Sequence, residues 1–533
     1  MIKGFFCLVL HAHLPYVRHP EYEYFLEENW LYEAIHETYI PLINMLENLI
    51  DDSIDFRITI SISPTLIEMF NDSLLRERFK RHIERLEELS EKELYRVKGD
   101  IHFEPVVKMY HNRFKLIKRL YEDVYKKDLI TAFKAMSDSG KVEFLSTAAT
   151  HAFLPNLSLY PTAVRAQIKQ GVNQFRKNFG NNPEGMWLPE CGYAPDFERY
   201  IKQEGIKFYF LDTHGILNSI PKPKFSVYAP IRCPSNIYAF GRDFETSKQV
   251  WSSFHGYPGD FYYRDFYRDI GFDINKDYVK SFLEPYGAKT YTGLKYYRIT
   301  GKTNYKEPYI IRRAKQKVSG HADHFIFSRD RQVELLFTKM NIKPIITAMY
   351  DAELFGHWWF EGIDWLNSIL RKINLPERNF KMINPSEYLA SIYKQARYLQ
   401  LSNPDLSSWG DKGYSRVWLN PSNDYVYRHI FMATERMQQL ADRFKKSTNL
   451  IHRAINQAAR ELLLSQHSDW IFMMKTNNAK DYACKRFEQH ISRFNYLYHS
   501  IINGEISERR LEEIEEQDKI FQDIDYRIFR DKL

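Results

Sequence analysis

The sequence has little cysteine and no long apolar run, and both absences narrow the class of protein. Only four of its 533 residues are cysteines, namely Cys7, Cys191, Cys233 and Cys484, and no two of them form a CxxC pair. This spacing is not typical of a zinc ribbon or a disulfide framework, and it favours a reducing cytoplasm. No apolar stretch approaches the roughly 18 residues of a membrane span, and the N-terminal apolar run is too short for a signal peptide. We therefore expect no membrane partner.

Clustered positive charge is also missing. The net charge is +7, but Lys and Arg are spread through mixed segments rather than along one stripe, so we expect no nucleic-acid partner. Aromatic residues, in contrast, are abundant at 16%. Their flat rings fill protein cores and also stack on sugar rings, and composition alone does not separate these two uses.

Six short apolar or aromatic runs predict buried parallel strands, and helical patterns separate most of them. This alternation predicts an α/β fold, either a barrel or an open doubly wound sheet. The runs are Phe5–Leu10, Arg57–Ile62, Val142–Leu145, Gly185–Leu188, Lys207–Leu211 and Pro344–Met349.

Ionisable residues stand where most of these runs end. A barrel brings the C-terminal ends of its strands together on one face, which is where barrel active sites lie. The pattern therefore predicts one shared site. Its members follow five different strands and are His11, His13, His151, Glu190, Asp212, His214 and Asp351.

Two regions break the alternation of strands and helices. Residues 64–137 have helical periodicity, with Phe79, Ile83 and Leu86 on one apolar face, and predict a helical insertion. Residues 399–533 show no strand pattern and predict a C-terminal helical domain that covers the cleft. The catalytic unit is then expected to comprise residues 1–63 and 138–398.

Two carboxyl groups are candidates for glycosidic bond cleavage. Glu190 and Asp351 each follow an apolar strand directly and lie among aromatic residues. Cleavage needs one carboxyl to protonate the leaving oxygen and another to act at the anomeric carbon. Apolar surroundings raise a carboxyl pKa, which suits one of the two for acid catalysis. The alternative is a structural pair of acids in salt bridges.

A second set of residues has two interpretations. An HxH pair at the end of a first strand, with Asp and His on later strands, is able to bind zinc. The same side chains are also able to form a ring of hydrogen-bonding groups for sugar hydroxyls. The set consists of His11, His13, His151, Asp212, His214 and His357.

Three tryptophans stand beside glycines in predicted loops. Trp251 precedes the turn Gly256–Asp260, and Trp409 and Trp418 lie on either side of Gly413. Tryptophan in a glycine-rich loop is more typical of a contact surface than of core packing, which favours stacking on sugar rings.

At these positions the sequence resembles glycoside hydrolase family 57, and within it the branching-enzyme type. The resemblance spans nearly the whole chain. It is carried by five segments: His11–Tyr16, Ala149–His151, Trp187–Tyr193, Tyr350–Trp359 and Ala458–Trp470.

The resemblance implies a distorted (β/α)7 barrel with a helical insertion and an α-helical C-terminal domain. It implies a retaining reaction on α-1,4-glucan, with Glu190 as nucleophile and Asp351 as general acid/base. The implied reaction requires no metal and no other cofactor. It also implies glucan contacts at Arg242, Gly259, Trp409 and Asp469, and these would place the helical domain over the acceptor side of the cleft.

The implied activity is that of a 1,4-α-glucan branching enzyme, with one departure. Only 26 residues, Gly215–Phe240, stand where good branchers carry a long active-site loop, so appreciable hydrolysis is expected beside branching. A second departure is Tyr297, where the family usually has histidine. The alternatives are an α-amylase or a 4-α-glucanotransferase of the same family and, more remotely, a zinc-dependent hydrolase or deacetylase, or a glycan binder without activity.

Overall fold

Nine strands form two sheets in the part of the chain that the computed structural model describes, which is residues 1–252, 256–283, 291–340, 342–392, 400–447 and 449–530. All six predicted strands are confirmed, and three short ones are added. The strands are β1 Gly4–Ala12, β2 Ile58–Ile62, β3 Val142–Leu145, β4 Gly185–Met186, β5 Phe208–Leu211, β6 Ile231–Arg232, β7 Tyr238–Gly241, β8 Ile345–Asp351 and β9 Phe380–Met382.

The two sheets join at both edges to close a barrel. One sheet runs β3-β2-β1-β8, with β9 also on β1, and the other runs β4-β5-β7-β6. A parallel bridge between Ser146 and Met186 continues β3 onto β4. At the other edge, the amide of Asp243, just after β7, donates to the carbonyl of Thr347 in β8 at 2.9 Å. The closed order β1-β2-β3-β4-β5-β7-β8 is the distorted seven-stranded barrel that the resemblance implied.

The central strands are apolar throughout because both of their faces are covered. β1 is buried along nearly its whole length, and it pairs in parallel with both β2 and β8. Such strands read as continuous apolar runs, which is why the sequence predicts them. β6, β7 and β9, which span 2, 4 and 3 residues, were not predicted from the sequence.

Twenty α-helices are described, several joined by short 3₁₀ or π turns. Those up to β8 are α1 Glu28–Ala34, α2 Ile40–Asp51, α3 Pro64–Asn71, α4 Ser73–Arg96, α5 Phe103–Arg119, α6 Leu129–Asp138, α7 Pro161–Phe179, α8 Phe197–Gln203, α9 Thr213–Leu217, α10 Phe244–Trp251, α11 Ile270–Asp273, α12 Lys276–Leu283 and α13 Ile311–Lys339. Those after β8 are α14 Gly362–Lys372, α15 Pro385–Ile392, α16 Tyr425–Arg443, α17 Asn449–Ser465, α18 Ser468–Thr476, α19 Lys480–Asn503 and α20 Glu508–Gln517.

The segments predicted to be helical are helical. Helices α3 to α6 fill residues 64–138, and the predicted apolar face of α4 (Phe79, Ile83, Leu86) is buried. After residue 424 the described chain is mainly helical and forms none of the nine strands, and α17 packs along α19. The predicted domain boundary at residues 398 and 399 lies outside the described residues. None of the described helices combines the length and apolar character needed to cross a bilayer.

Candidate active site

Glu190 stands on a strained turn at the end of β4. Pro189–Cys191 form one 3₁₀ turn in which Glu190 has φ 58° and Cys191 has φ 50°. A left-handed backbone at a residue other than glycine costs about 1–3 kcal/mol and is retained where the surroundings enforce it. Here the amide of Trp409 donates to the Glu190 carbonyl at 3.0 Å. This hydrogen bond helps to hold the backbone from which the Glu190 carboxyl projects.

A hydrogen-bonded chain runs from the first strand to this carboxyl. His11 Nε2 lies 2.9 Å from His151 Nε2, and His151 Nδ1 lies 2.9 Å from Ser468 Oγ. Ser468 Oγ in turn donates to Glu190 Oε1 at 3.0 Å. If the serine proton points to Glu190, His151 must donate from Nδ1 and accept at Nε2, which leaves His11 protonated on Nε2. Burial lowers the pKa of both histidines well below the usual value, so both are neutral in this arrangement.

His13 and Asp469 lie beside this chain. His13 Nε2 is 2.9 Å from Asp469 Oδ2, and His467 Nδ1 is 2.8 Å from the same oxygen. Burial by itself would raise the pKa of Asp469, but the charges and hydrogen bonds of His13 and His467 outweigh it and hold the pKa well below the usual value. Asp469 therefore carries a permanent negative charge near Glu190.

Asp351 ends strand β8, where it is in register with His11 of β1. Burial raises its pKa well above the usual value, and the nearby carboxylates of Glu353 and Glu190 raise it further. Glu353 accepts the amide of His13 at 3.1 Å and also accepts the hydroxyl of Tyr39. Three acids therefore converge on one end of the barrel, and the other two raise the pKa of Asp351 beyond the effect of burial.

The two principal carboxyls differ in their hydrogen bonds. Burial and the charge of Asp469 raise the pKa of Glu190 to about 7, while hydrogen bonds from Trp409 and Ser468 counteract part of that rise. Trp409 Nε1 donates to Glu190 Oε2 at 2.7 Å. Among the described residues, no group donates to the Asp351 carboxyl. Donors stabilise a carboxylate, so the ionised form is favoured more strongly at Glu190 than at Asp351.

Trp409 brings the aromatic and basic groups together. Its indole lies edge-on to Trp187 and to Trp251, with ring centroids 5.2 and 6.2 Å apart. The guanidinium of Arg242 lies 5.2 Å from the Trp409 ring centre. Trp251 is 41% exposed and so offers a face to a ligand. Trp409 and Trp251 are therefore in direct ring contact.

Asp212 and His214 hold the groups around Trp409 in place. Asp212 Oδ2 accepts Arg242 Nη1 at 3.3 Å, which holds the guanidinium beside Trp409. His214 Nε2 donates to the carbonyl of Gly413 at 2.6 Å. His214 thus ties the end of β5 to the loop that carries Trp409.

Three predicted site residues lie apart from this group. Trp418 is only 1% exposed and stacks on Phe153 at 4.3 Å, so it has no free face for a sugar, and packing is the better interpretation of this residue. His357 Nδ1 lies 2.6 Å from Glu37 Oε2, in a neighbouring ionic cluster. Gly259 belongs to the turn Tyr257–Gly259 after α10, where its amide donates to the carbonyl of Gly256 at 3.4 Å.

Four residues of the site were not singled out from the sequence. Ser468 and His467 lie next to Asp469, whose position in a family segment was the available signal. Glu353 lies two residues after Asp351 in another such segment. The fourth is Trp187, whose ring stacks on His11 with centroids 4.7 Å apart and planes 7° apart; its place at the start of the family segment Trp187–Tyr193 was the available signal.

Two groups at the site bring metal-ligand atoms within 4.8 Å of one another: His11, His13 and His151, and His13, His467 and Asp469. In both groups the ligand atoms also bond to each other. The 2.9 Å contact between His11 and His151 needs a proton between two nitrogens, and that proton competes with a metal for the lone pairs.

Paired buried acids at the C-terminal ends of barrel strands, with different hydrogen bonding, are the arrangement of a glycoside hydrolase. Residues 7–401 match the sequence model described as Glycosyl hydrolase family 57, and residues 429–529 match 1,4-alpha-glucan branching enzyme, C-terminal. The chain belongs to glycosyl hydrolase family 57 and is an enzyme of that family.

Relatives and solved structures agree with this family. A 1,4-alpha-glucan branching enzyme of Thermococcus kodakarensis is 34% identical, over 98% of this chain and 78% of the relative. The alpha-amylase AmyC of Thermotoga maritima superposes with a TM-score of 0.93 at 40% identity, covering 100% of both chains. A GH57-type branching enzyme of Pyrococcus horikoshii gives a TM-score of 0.89 at 32% identity, covering 100% of this chain and 98% of that one.

Proposed function

We propose that the protein is a retaining 1,4-α-glucan branching enzyme in which Glu190 is the nucleophile and Asp351 the general acid/base. The observation that carries the roles is the asymmetry of the two acids. Glu190 accepts hydrogen bonds from Trp409 and Ser468, while Asp351 lies buried between the charges of Glu190 and Glu353. The match of residues 429–529 to the branching-enzyme C-terminal domain supports the choice of acceptor.

The reaction then has two steps. Glu190 attacks the anomeric carbon while Asp351 gives its proton to the departing 4-oxygen, which leaves a glucosyl ester on Glu190. Asp351, now ionised, takes the proton of a 6-hydroxyl on an acceptor chain. The 6-oxygen attacks the anomeric carbon and releases Glu190 with net retention. Water in place of the 6-hydroxyl gives hydrolysis.

A second candidate is an α-amylase, because AmyC of Thermotoga maritima superposes at a TM-score of 0.93 and the segment Gly215–Phe240 is short. Product analysis separates the two activities. Incubation with amylose, followed by proton NMR, should show new α-1,6 signals for a branching enzyme. New reducing ends without α-1,6 signals would assign the protein as an amylase.

Glu190→Gln tests the nucleophile. The change keeps the side-chain shape but removes the charge, so turnover should fall roughly a thousandfold or more. Glu184→Gln, at the opposite end of β4, is the matched control and should keep its activity. In a complex with a sugar inhibitor, the Glu190 and Asp351 carboxyls should lie about 5–5.5 Å apart, and a separation beyond about 9 Å would contradict retention.

We further propose that the enzyme works without metal on a glycogen-like storage glucan in the cytoplasm. The hydrogen bonds among His11, His151 and Ser468 support the metal-free state, and four unpaired cysteines are consistent with a reducing compartment. Elemental analysis of active enzyme tests the first point. One equivalent of zinc, with loss of activity on its removal, would favour a zinc hydrolase instead.

A further inference from the structure

A cluster of aromatic rings includes Trp358, which lies on the turn that follows Asp351. Trp358 is 52% exposed and stacks on Phe266, with centroids 4.6 Å apart and planes 20° apart. Phe266 also contacts Tyr267 and Tyr291, which are 71% and 39% exposed. We call Phe266, Tyr267, Tyr291 and Trp358 the aromatic platform. Leaving this much aromatic surface in water is unfavourable, and packing within the described chain does not account for it.

Buried charge holds the platform in place. The ammonium of Lys295, which is itself buried, lies 4.2 Å from the ring centre of Phe266 and 5.3 Å from that of Tyr291. The edge of His357 meets Phe266 at 5.2 Å and 88°. Cation–π and edge-to-face contacts of this kind fix ring orientation. The rings are therefore presented in a defined arrangement.

The turn that carries Trp358 is also rigid. Gly356 has φ 99°, and a Cβ there would lie 2.0 Å from the carbonyl oxygen of Glu37, so only glycine fits. The amide of Trp358 donates to the carbonyl of Glu353 at 3.2 Å. Because Glu353 lies beside Asp351, the platform and the acid/base belong to one fixed backbone unit.

A pair of polar groups lies beside the rings, since His357 contacts Phe266. His357 Nε2 lies 3.8 Å from Glu33 Oε2, and both side chains are partly exposed. A glucose ring presents a flat face of C–H groups and a rim of hydroxyls. Stacking aromatics beside a carboxylate and an imidazole match both features. An apolar protein partner would leave Glu33 and His357 unmatched, which favours a sugar as the occupant.

We propose that the aromatic platform is a distal subsite that stacks on a glucose unit of the α-glucan chain that reaches Asp351. The inference rests on the proposed function for its ligand. It adds a specificity consequence, since a chain long enough to reach both the acids and Trp358 gains contacts that a short chain lacks. The platform therefore makes the enzyme select long chains.

The test uses binding rather than turnover. In the Glu190→Gln background, calorimetry with maltotriose and with an amylose fraction of about twenty glucose units compares the parent with Trp358→Ala. The affinity for the long chain should fall about tenfold in Trp358→Ala, corresponding to the loss of one stacking contact, and that for maltotriose should not change. Trp358→Phe should recover most of the long-chain affinity. Phe327→Ala, an exposed aromatic on α13, is the matched control and should bind like the parent.

Each other outcome is decisive. If the parent binds amylose and Trp358→Ala binds it equally well, the platform is not a subsite. If Trp358→Ala weakens maltotriose as much as amylose, the contact is not distal and the length selection is wrong. If the parent binds no α-glucan of any length, the proposed function and the platform fall together.

Discussion

The indole of Trp409 bonds directly to the carboxyl of Glu190, Nε1 to Oε2, at 2.7 Å. The backbone amide of the same tryptophan bonds to the carbonyl of Glu190 at 3.0 Å. Trp409 belongs to the loop between barrel and helical domain, so residues remote in sequence complete the surroundings of the proposed nucleophile. This contact gives Trp409 an electrostatic role that stacking on sugar alone would not.

Trp409→Phe should move the acidic limb of the pH–activity profile to higher pH. The indole N–H stabilises ionised Glu190, whose pKa is already raised to about 7 by burial and by Asp469. Loss of a hydrogen bond to a charged group should raise that pKa by about one unit. Because Glu190 must be ionised to attack, activity is then lost at a higher pH as the medium is acidified.

The control for that experiment is Trp251→Phe. Trp251 touches the Trp409 ring but does not bond to Glu190, so the position of the acidic limb should stay constant whatever happens to the rate. If the acidic limb does not move in Trp409→Phe, the hydrogen bond from Trp409 does not control the ionisation of Glu190.

Asp469→Asn should shift the same limb the opposite way. The negative charge of Asp469 raises the pKa of Glu190, and the asparagine has none. Glu190 then ionises more readily, and activity persists to lower pH. Profiles of kcat/KM against pH for the two variants, measured side by side, give opposite displacements if the assignment is right. A shift to higher pH in Asp469→Asn would mean that its bonds to His13 and His467 matter more to Glu190 than its charge.

Trp409→Ala should reduce transfer and hydrolysis together. An acceptor contact, which the resemblance favours for the helical domain, would affect transfer more than hydrolysis. A group bonded to the proposed nucleophile serves the first step, which both reactions share. Counting α-1,6 linkages and reducing ends from the same reaction measures both. A loss of transfer without a comparable loss of hydrolysis would indicate that Trp409 contacts the acceptor chain instead.

The sequence predicted the parts of the site that follow strands and missed those that arise from packing. Glu190 and Asp351 directly follow apolar runs, so their convergence follows from barrel geometry alone. The contact between Ser468 and Glu190 spans 278 positions and depends on how α18 docks, which no local pattern encodes. Trp418 shows the reverse error. Its glycine-rich setting resembles a surface loop, but Gly410 is the small residue that lets the ring pack inward, since a Cβ there would lie 2.6 Å from it.

A buried ionic cluster in the helical domain should dominate that domain's stability. Asp518 Oδ1 pairs with Arg486 Nη2 at 3.0 Å, Asp518 also bonds to Arg493, and His490 Nδ1 lies 2.8 Å from Glu461 Oε2. Asp518→Asn would leave two guanidinium groups without their buried anion. A loss of about 3–5 kcal/mol is typical for removing one partner of a buried pair, seen as a lower midpoint in thermal unfolding.

The pH range of that experiment follows from the sign of the shift. Burial alone would raise the pKa of Asp518, but the charges of His490, Arg486 and Arg493 outweigh burial and lower it. A carboxyl whose pKa is lower in the folded than in the unfolded protein stabilises the fold at pH values above the unfolded-state pKa of about 4. This stabilisation is lost as the pH falls from about 4 towards the folded-state pKa. The loss of stability in Asp518→Asn should therefore be fully present at pH 7. Glu513→Gln, in an exposed pair with Arg509, should leave the midpoint unchanged, and equal midpoints for both variants would contradict the argument.

The short segment Gly215–Phe240 should let water compete with the acceptor. Ile220 and Asn403 exchange both backbone hydrogen bonds, at 3.0 and 2.9 Å, and the amide of Arg232 donates to the carbonyl of Gln400 at 3.1 Å. The segment is thus paired along the interdomain loop rather than free to fold over the glucosyl ester. An intermediate left open to water is hydrolysed in proportion to its exposure, so new reducing ends should accompany new α-1,6 linkages throughout the reaction. A product rich in α-1,6 linkages with almost no new reducing ends would show that Trp251, Trp409 and the helical domain exclude water without a long loop.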